Sequence, residues 1–309
     1  MSNNFQNLDI SRLKFIEVNC DFCGSNQFRL VHFVWFLHRW FRFVRCLTCS
    51  LIYQNPQLDE PSRRHIYETI DYWEHKKINS SQHLLNYHSY TDDEVAIKKT
   101  NEIRVKSICS RLKPKDRVLD VGCANGALVK ALNRAGLRAK GMDISASMIA
   151  EGKKKNLNLI QANFESEWPF DERFDAITCY ACLSNFSNAS MVFKQIRKHL
   201  LPGGYFFFNF GDSQRLVSRI LGSRLYLFRP TATLIYSKAL IEKYCQNSGL
   251  EILEMKTDVQ FIPLARFAGF LRIPGLLKII KSLDLEHLNW KMKLLTGYTS
   301  CAVNKDLSQ

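Results

Sequence analysis

The run Val118-Leu119-Asp120-Val121-Gly122-Cys123-Ala124-Asn125-Gly126 sets an acid and two glycines at the end of a short apolar stretch. Glycines after a strand let the backbone turn tightly and approach a ligand where a Cβ would collide. Asp120 precedes them, where a carboxylate can meet a cationic amino-acid moiety. A dinucleotide site instead begins this turn with glycine and seats a pyrophosphate on the helix N-terminus. A second acid, Asp143 in Gly141-Met142-Asp143-Ile144-Ser145, closes the next apolar stretch and can accept from both hydroxyls of a ribose. Asn163 and Phe164, in Gln161-Ala162-Asn163-Phe164, supply a polar side chain and an aromatic able to flank an adenine. The competing reading is a doubly wound sheet that binds some other nucleotide.

A different chemistry is written nearer the N-terminus. Cys20-x-x-Cys23-Gly24 and Cys46-x-x-Cys49 are two knuckles separated by 22 residues. Two such pairs bring four thiolates to a tetrahedral Zn²⁺ with bonds of about 2.3 Å, a closed and therefore structural shell. Buried cysteines or a redox dithiol are the alternatives, and the paired spacing favours zinc. Ser50 stands where a glycine often follows the second knuckle.

These residues need elements to hold them. Phe28 to Arg45 carries enough β-formers for the hairpins that join the knuckles, and residues 57–112 read as polar and helical. From Arg117 the pattern alternates: strands at Val118–Val121, Ala139–Met142, Phe174–Cys179 and Tyr205–Phe210, helices at Ala127–Arg134, Ser145–Lys154 and Ala189–His199. A helix at Ser237–Asn247, a strand near Glu251–Lys256 and a closing strand at Gly297–Asn304 complete the series. Such alternation argues for a mostly parallel sheet covered on both faces.

With those residues in place, the stretch from Arg117 to about Gly211 resembles class I S-adenosylmethionine-dependent methyltransferases. It has a D-x-G-x-G-x-G loop with Ala124 at the middle glycine, the acid after strand two, and the polar residue after strand three. Leu201-Pro202-Gly203-Gly204-Tyr205 is similar to the L-x-P-G-G turn before their fifth strand. The resemblance implies a Rossmann-like, doubly wound, mostly parallel seven-stranded α/β sheet. It also implies S-adenosyl-L-methionine held by Asp120, Gly122, Cys123, Ala124, Asn125, Gly126, Asp143, Ile144, Asn163, Phe164 and Cys179.

The whole layout is similar to a narrower group with an N-terminal zinc ribbon and a helical linker. Leu51-Ile52-Tyr53-Gln54-Asn55-Pro56, the pair Tyr72-Trp73 and the segment from Leu234-Ile235-Tyr236-Ser237 to Leu250 carry that likeness. It implies a tail at 1–19, a ribbon at 20–56, a linker at 57–112, a methyltransferase domain at 113–260 and an apolar C-terminal segment with a closing strand at 261–309. The group methylates small molecules, including sugars on nucleotide carriers.

The general base is not written so plainly. Where the family often carries an acid and a histidine after strand four, this chain has Ser184-Asn185, and Pro230-Thr231-Ala232-Thr233 replaces a further histidine stretch. Tyr180 and Asn185 are the local candidates for acceptor contact or proton handling, against ordinary strand-end packing. Cys179 and Cys182 form a third C-x-x-C that reads as core filling. His65, His75, His83 and His88 fall in the linker and read as surface residues first.

The bulk numbers restrict the partners. Lys and Arg number 43 against 29 acids, a formal charge of +14, and because the cations are scattered a solvated basic surface is favoured over a nucleic-acid stripe. An RNA methyltransferase with a zinc module is the rival enzyme class, although the N-P-P-[YF] motif is missing after strand four. A cofactor-binding scaffold of weak activity is the other rival. Met1 to Asp9 is polar, so no secretory signal is expected and the cytoplasm is the expected compartment. Ten cysteines then point to thiols or metal ligands. The apolar segment Phe261–Ile280 is interrupted by Pro263, Arg266, Arg272 and Pro274, which argues against a span. It suits a lid or a peripheral membrane contact. The oligomeric state is not legible.

Overall fold

The structure is a computed structural model that describes residues 12–36, 39–69, 93–222, 227–264, 275–283, 285 and 288–305. The pair Tyr72-Trp73 and His75, His83 and His88 lie outside the described residues.

The N-terminal unit holds β1 (Phe15–Ile16), β2 (Phe28–Phe36), β3 (Arg39–Cys46), β4 (Ile52–Gln54) and β5 (Gln57–Leu58). β2 and β3 form an antiparallel hairpin, β4 pairs with β3, and β1 pairs with β5. Helix α1 (Glu60–Tyr67) follows, capped by Asp59, whose carboxylate accepts from the Ser62 amide at 2.9 Å. Helix α2 (Glu94–Cys109) leads into the main sheet.

The alternating part runs β6 (Arg117–Val121), α3 (Ala127–Arg134), β7 (Arg138–Asp143), α4 (Ala146–Lys153), β8 (Leu159–Gln161), β9 (Phe174–Cys179) and α5 (Ala189–His199). It continues through β10 (Leu200–Gly211), α6 (Leu216–Leu221), β11 (Leu234–Ile235), α7 (Lys238–Asn247), β12 (Leu250–Pro263), α8 (Leu276–Ser282) and β13 (Asn289–Asn304). The helices start where side chains satisfy their first amides: Ser145, Asn188 and Ser237 cap α4, α5 and α7.

One seven-stranded sheet results, in the order β12-β13-β10-β9-β6-β7-β8. β6, β7, β8, β9 and β10 pair in parallel, and β13 runs antiparallel to both its neighbours. Because side chains alternate along a strand, Phe206 and Phe208 of β10 face one layer while Phe207 faces the other. The first layer is α5 and α7, through Val192, Phe193, Ile196, Ile241 and Tyr244. The second is α2, α3 and α4, through Ile108, Val129, Leu132 and Ile149. This is the doubly wound α/β sheet expected from the sequence.

The N-terminal unit is fused to that sheet. β4 pairs on its far side with β11, so a four-stranded sheet runs β11-β4-β3-β2. Cys20, Val44, Cys46, Leu51 and Tyr53 share one apolar cluster with Phe193, Leu234 and Tyr244. Asp21 accepts from the Tyr244 hydroxyl at 2.7 Å and from the Ser190 amide at 3.1 Å, tying the first knuckle to α7 and α5.

The C-terminal strands are longer than the sequence suggests. β12 continues to Pro263 and β13 begins at Asn289, so Asp258–Pro263 pairs with Leu294–Asn289 after a register shift at Thr257. Phe261 to Pro263 therefore belongs to a strand, and residues 265–274 lie outside the described residues. Among the described residues no helix is long and apolar enough to cross a membrane.

Candidate functional site

A cleft opens at the carboxyl ends of β6, β7, β9 and β10, around the point where the chain order reverses on either side of β6. Ligands of open α/β sheets bind at such a switch point. At about 260 Å³ the cleft is at the small end of ligand pockets.

The loop after β6 is built for close approach. Gly122 takes a φ of +73°, and a Cβ there would lie 2.6 Å from Cys182 Sγ. Ala124 also sits in the left-handed region, at φ +48°. The Gly122 and Cys123 amides donate to the Met142 carbonyl at 2.9 and 3.1 Å, which fixes the loop against β7.

Two buried carboxylates face the cleft. Asp143 accepts from the Ala124 amide at 2.8 Å and the Ser145 amide at 2.9 Å. Burial pushes its pKa up, and those two amides pull against it. Asp120 accepts from the Thr178 hydroxyl, and burial lifts it to about 7 despite that bond and the charge of Arg104.

Of the residues singled out from the sequence, Asp120, Gly122, Cys123, Ala124, Asp143, Ile144, Asn163, Phe164, Tyr180 and Asn185 line this cleft together. Gly126 caps α3 beneath it, at φ +78°. Asn125 is not among the lining residues, and its side-chain oxygen is buried without a hydrogen-bond partner. Cys179 is also outside the lining: it is buried in the core, its Sγ 3.1 Å from that of Cys182. The alternation along β9 sends Cys179 inward and leaves Cys182, beyond the strand end, to face the cleft. Asn185 accepts from Arg229 Nη2 at 3.1 Å, and the Tyr180 hydroxyl is buried with no partner. His65 is half-buried on α1 and does not line the cleft.

The four knuckle cysteines come together as well. The sulfurs of Cys20, Cys23, Cys46 and Cys49 all lie within 4.8 Å of one another, with Cys20 to Cys49 at 3.4 Å and Cys23 to Cys46 at 3.5 Å. A tetrahedron of thiolates around zinc with 2.3 Å bonds has edges of about 3.8 Å. Gly24 and Ser50 end the two knuckle turns at φ +73° and +66°, so Ser50 adopts the glycine-like conformation its place demands.

The profile of a methyltransferase-domain family matches residues 90–255, more than half of the chain. The chain belongs to this family of S-adenosylmethionine-dependent methyltransferases. A ubiquinone biosynthesis O-methyltransferase of Coxiella burnetii is 29% identical over 179 residues, covering 53% of this chain and 76% of the relative. The mitochondrial enzyme of the same name from Dictyostelium discoideum is 26% identical over 224 residues, covering 59% of this chain and 69% of the relative. A chain in the complex between the Haloferax volcanii Trm112 methyltransferase activator and a methyltransferase aligns with a TM-score of 0.50 and 16% identity, over 69% of this chain and 94% of that one. That likeness establishes the fold.

The methyltransferase also sets residues in and around the cleft that no motif announced. From α1, Arg63 pairs with Glu165 at 3.5 Å, both nearly buried, and Glu60 accepts from Asn163 Nδ2 at 3.4 Å. Glu68 takes up the first amides of α4, with Ser147 N at 3.3 Å. Arg104, from α2, stands 4.3 Å from the Tyr180 ring centroid. On the remaining wall Asn209, Asp258 and Gln260 converge. The basic and acidic residues of α1 form a helix face in the sequence, but nothing local points it at Asn163, Glu165 and the start of α4.

Proposed function

We propose that this methyltransferase moves the methyl group of S-adenosylmethionine to a small-molecule or glycan-precursor acceptor held in the cleft. The observation that carries the reading is the pair of buried acids, Asp120 and Asp143, on either side of a left-handed glycine loop. The two amides on Asp143 leave its oxygens able to accept from ribose hydroxyls. Asp120, beside the loop, is suited to the cationic amino group of the cofactor's amino-acid moiety. Asn163, Phe164 and Ile144 line the same cleft, where Asn163 and Phe164 would hold the adenine and Ile144 would stand beside the ribose.

When bound, the cofactor supplies a methyl on a cationic sulfur, already a good leaving group. The protein's work is then alignment and, for a hydroxyl acceptor, removal of a proton. Tyr180 and Asn185 line the cleft and are the candidates for contact with the acceptor. The names of the curated relatives, O-methyltransferases of ubiquinone biosynthesis, favour a small acceptor methylated on oxygen. Zinc held by Cys20, Cys23, Cys46 and Cys49 would be structural, since four thiolates close its shell.

Turnover tests the reading. The methyltransferase incubated with labelled S-adenosylmethionine and a panel of catechols, phenols and nucleotide sugars should label one class. Labelling of RNA alone would overturn it.

A further inference from the structure

β12 carries Asp258 into the cleft, and Asp258 is 5% exposed. It accepts from Asn209 Nδ2 at 2.9 Å, Gln260 Nε2 at 2.7 Å and Thr299 Oγ1 at 2.6 Å. A carboxylate offers about four lone-pair sites, so these three donors fix its rotamer and leave one direction for a ligand. Asn209 is a relay in this arrangement: its Oδ1 accepts from the Ala181 amide at 2.6 Å, binding Asp258 to the backbone that follows Tyr180. Tyr180 lines the same cleft, 7% exposed, and its hydroxyl has no hydrogen-bond partner. A buried hydroxyl without a partner, in the same cleft as a carboxylate with one free lone-pair site, is an incomplete polar site.

We propose that Asp258 and Tyr180 form the acceptor subsite, with Asp258 as the catalytic proton acceptor for a hydroxyl-bearing substrate. This rests on the methyl-transfer reading above. The acceptor's O–H donates to Asp258 and its oxygen meets the Tyr180 hydroxyl. As the O–CH₃ bond forms, the S–CH₃ bond breaks and the electron pair stays on sulfur. The O–H proton passes to the Asp258 carboxylate, which returns it to solvent after the product leaves. Asp258 takes the part that Ser184-Asn185 cannot, since neither of those side chains is a base at neutral pH.

The test needs no acceptor. Sinefungin carries an amine on carbon where S-adenosylmethionine carries its methyl on sulfur, so its ammonium reports a carboxylate at the transfer point. Isothermal titration compares sinefungin with S-adenosylhomocysteine on wild type and Asp258→Asn. The expected result is S-adenosylhomocysteine unchanged within about twofold and sinefungin weakened at least about tenfold, the scale of a lost charge-assisted contact. Equal changes for both ligands would overturn the proposal. Failure of wild type to bind S-adenosylhomocysteine would overturn the cofactor reading instead, and this proposal with it. If Asp258→Asn does not fold, a crystal structure of wild type with sinefungin decides: the amine points at Asp258 across the place of the acceptor oxygen, directly or through a bridging water, or the assignment is wrong.

Discussion

Thr178 donates its hydroxyl hydrogen to Asp120 Oδ1 at 2.6 Å, joining the ends of β9 and β6 beneath the cleft. Even so, burial holds Asp120 up at about 7. An unfolded aspartate titrates near 3.9. The folded protein therefore favours the protonated form, and the group's stabilising contribution is full below about pH 4 and lost as pH rises through about 7. Asp120→Asn, neutral at every pH, should gain on wild type by about 4 kcal/mol between pH 3.5 and pH 8, most of it between pH 4 and pH 7. Thermal unfolding at the two pH values checks this. An equal offset at both would contradict it.

The same titration should appear in binding. A cationic amino group recruits the charged form of Asp120, so affinity for S-adenosylhomocysteine should rise several-fold between pH 6 and pH 8. The rise should flatten in Asp120→Asn. A parallel slope in both proteins would assign it to another group.

Gly122 is constrained twice, by its φ of +73° and by Cys182 Sγ 2.6 Å from where a Cβ would stand. Gly122→Ala should cost about 1–3 kcal/mol and weaken cofactor binding. Adding Cys182→Ala removes the sulfur but leaves both the residue 182 Cβ, 2.9 Å from the same point, and the backbone strain, so the double variant should recover only part of the stability. Denaturant midpoints measure this. Complete recovery would show that backbone conformation contributes nothing.

The cysteine cluster is coupled to the main core, because Cys20 and Cys46 share an apolar cluster with Phe193 and Tyr244. The purified protein should carry one zinc per chain, and chelation should lower the thermal midpoint by at least about 5 °C. Cys46→Ser should behave like the stripped protein. Zinc absent from well-folded protein, or a midpoint indifferent to chelator, would refute this.

What the sequence made legible follows from locality. α3, β9 and α5 run over Ala127–Arg134, Phe174–Cys179 and Ala189–His199, as their apolar periodicity indicates, and Asn188 supplies the cap that starts α5. The loop with Asp120 and the acid Asp143 are short motifs, each set by one strand end. Asp258 was not legible because its surroundings are assembled across the sheet. Asn209 lies on β10 and Thr299 on β13, 49 and 41 residues away. Glu68 and Arg63 were hidden likewise, since only packing brings α1 to α4 and Glu165. The outer half of the β12–β13 pairing is not legible in the sequence because it mixes polar and apolar residues without clean alternation.

The most direct test is isothermal titration of S-adenosylhomocysteine into wild type and Asp143→Ala. Asp143 holds the Ala124 amide and, on the proposed reading, would offer its oxygens to the ribose, so removing it should strike the loop and the ligand contact together. The account predicts micromolar binding to wild type and at least about a tenfold loss in the variant, from charge-assisted bonds of about 1.5–3 kcal/mol. No binding to folded, zinc-loaded wild type, or undiminished binding to Asp143→Ala, would contradict the placement of the cofactor in this cleft.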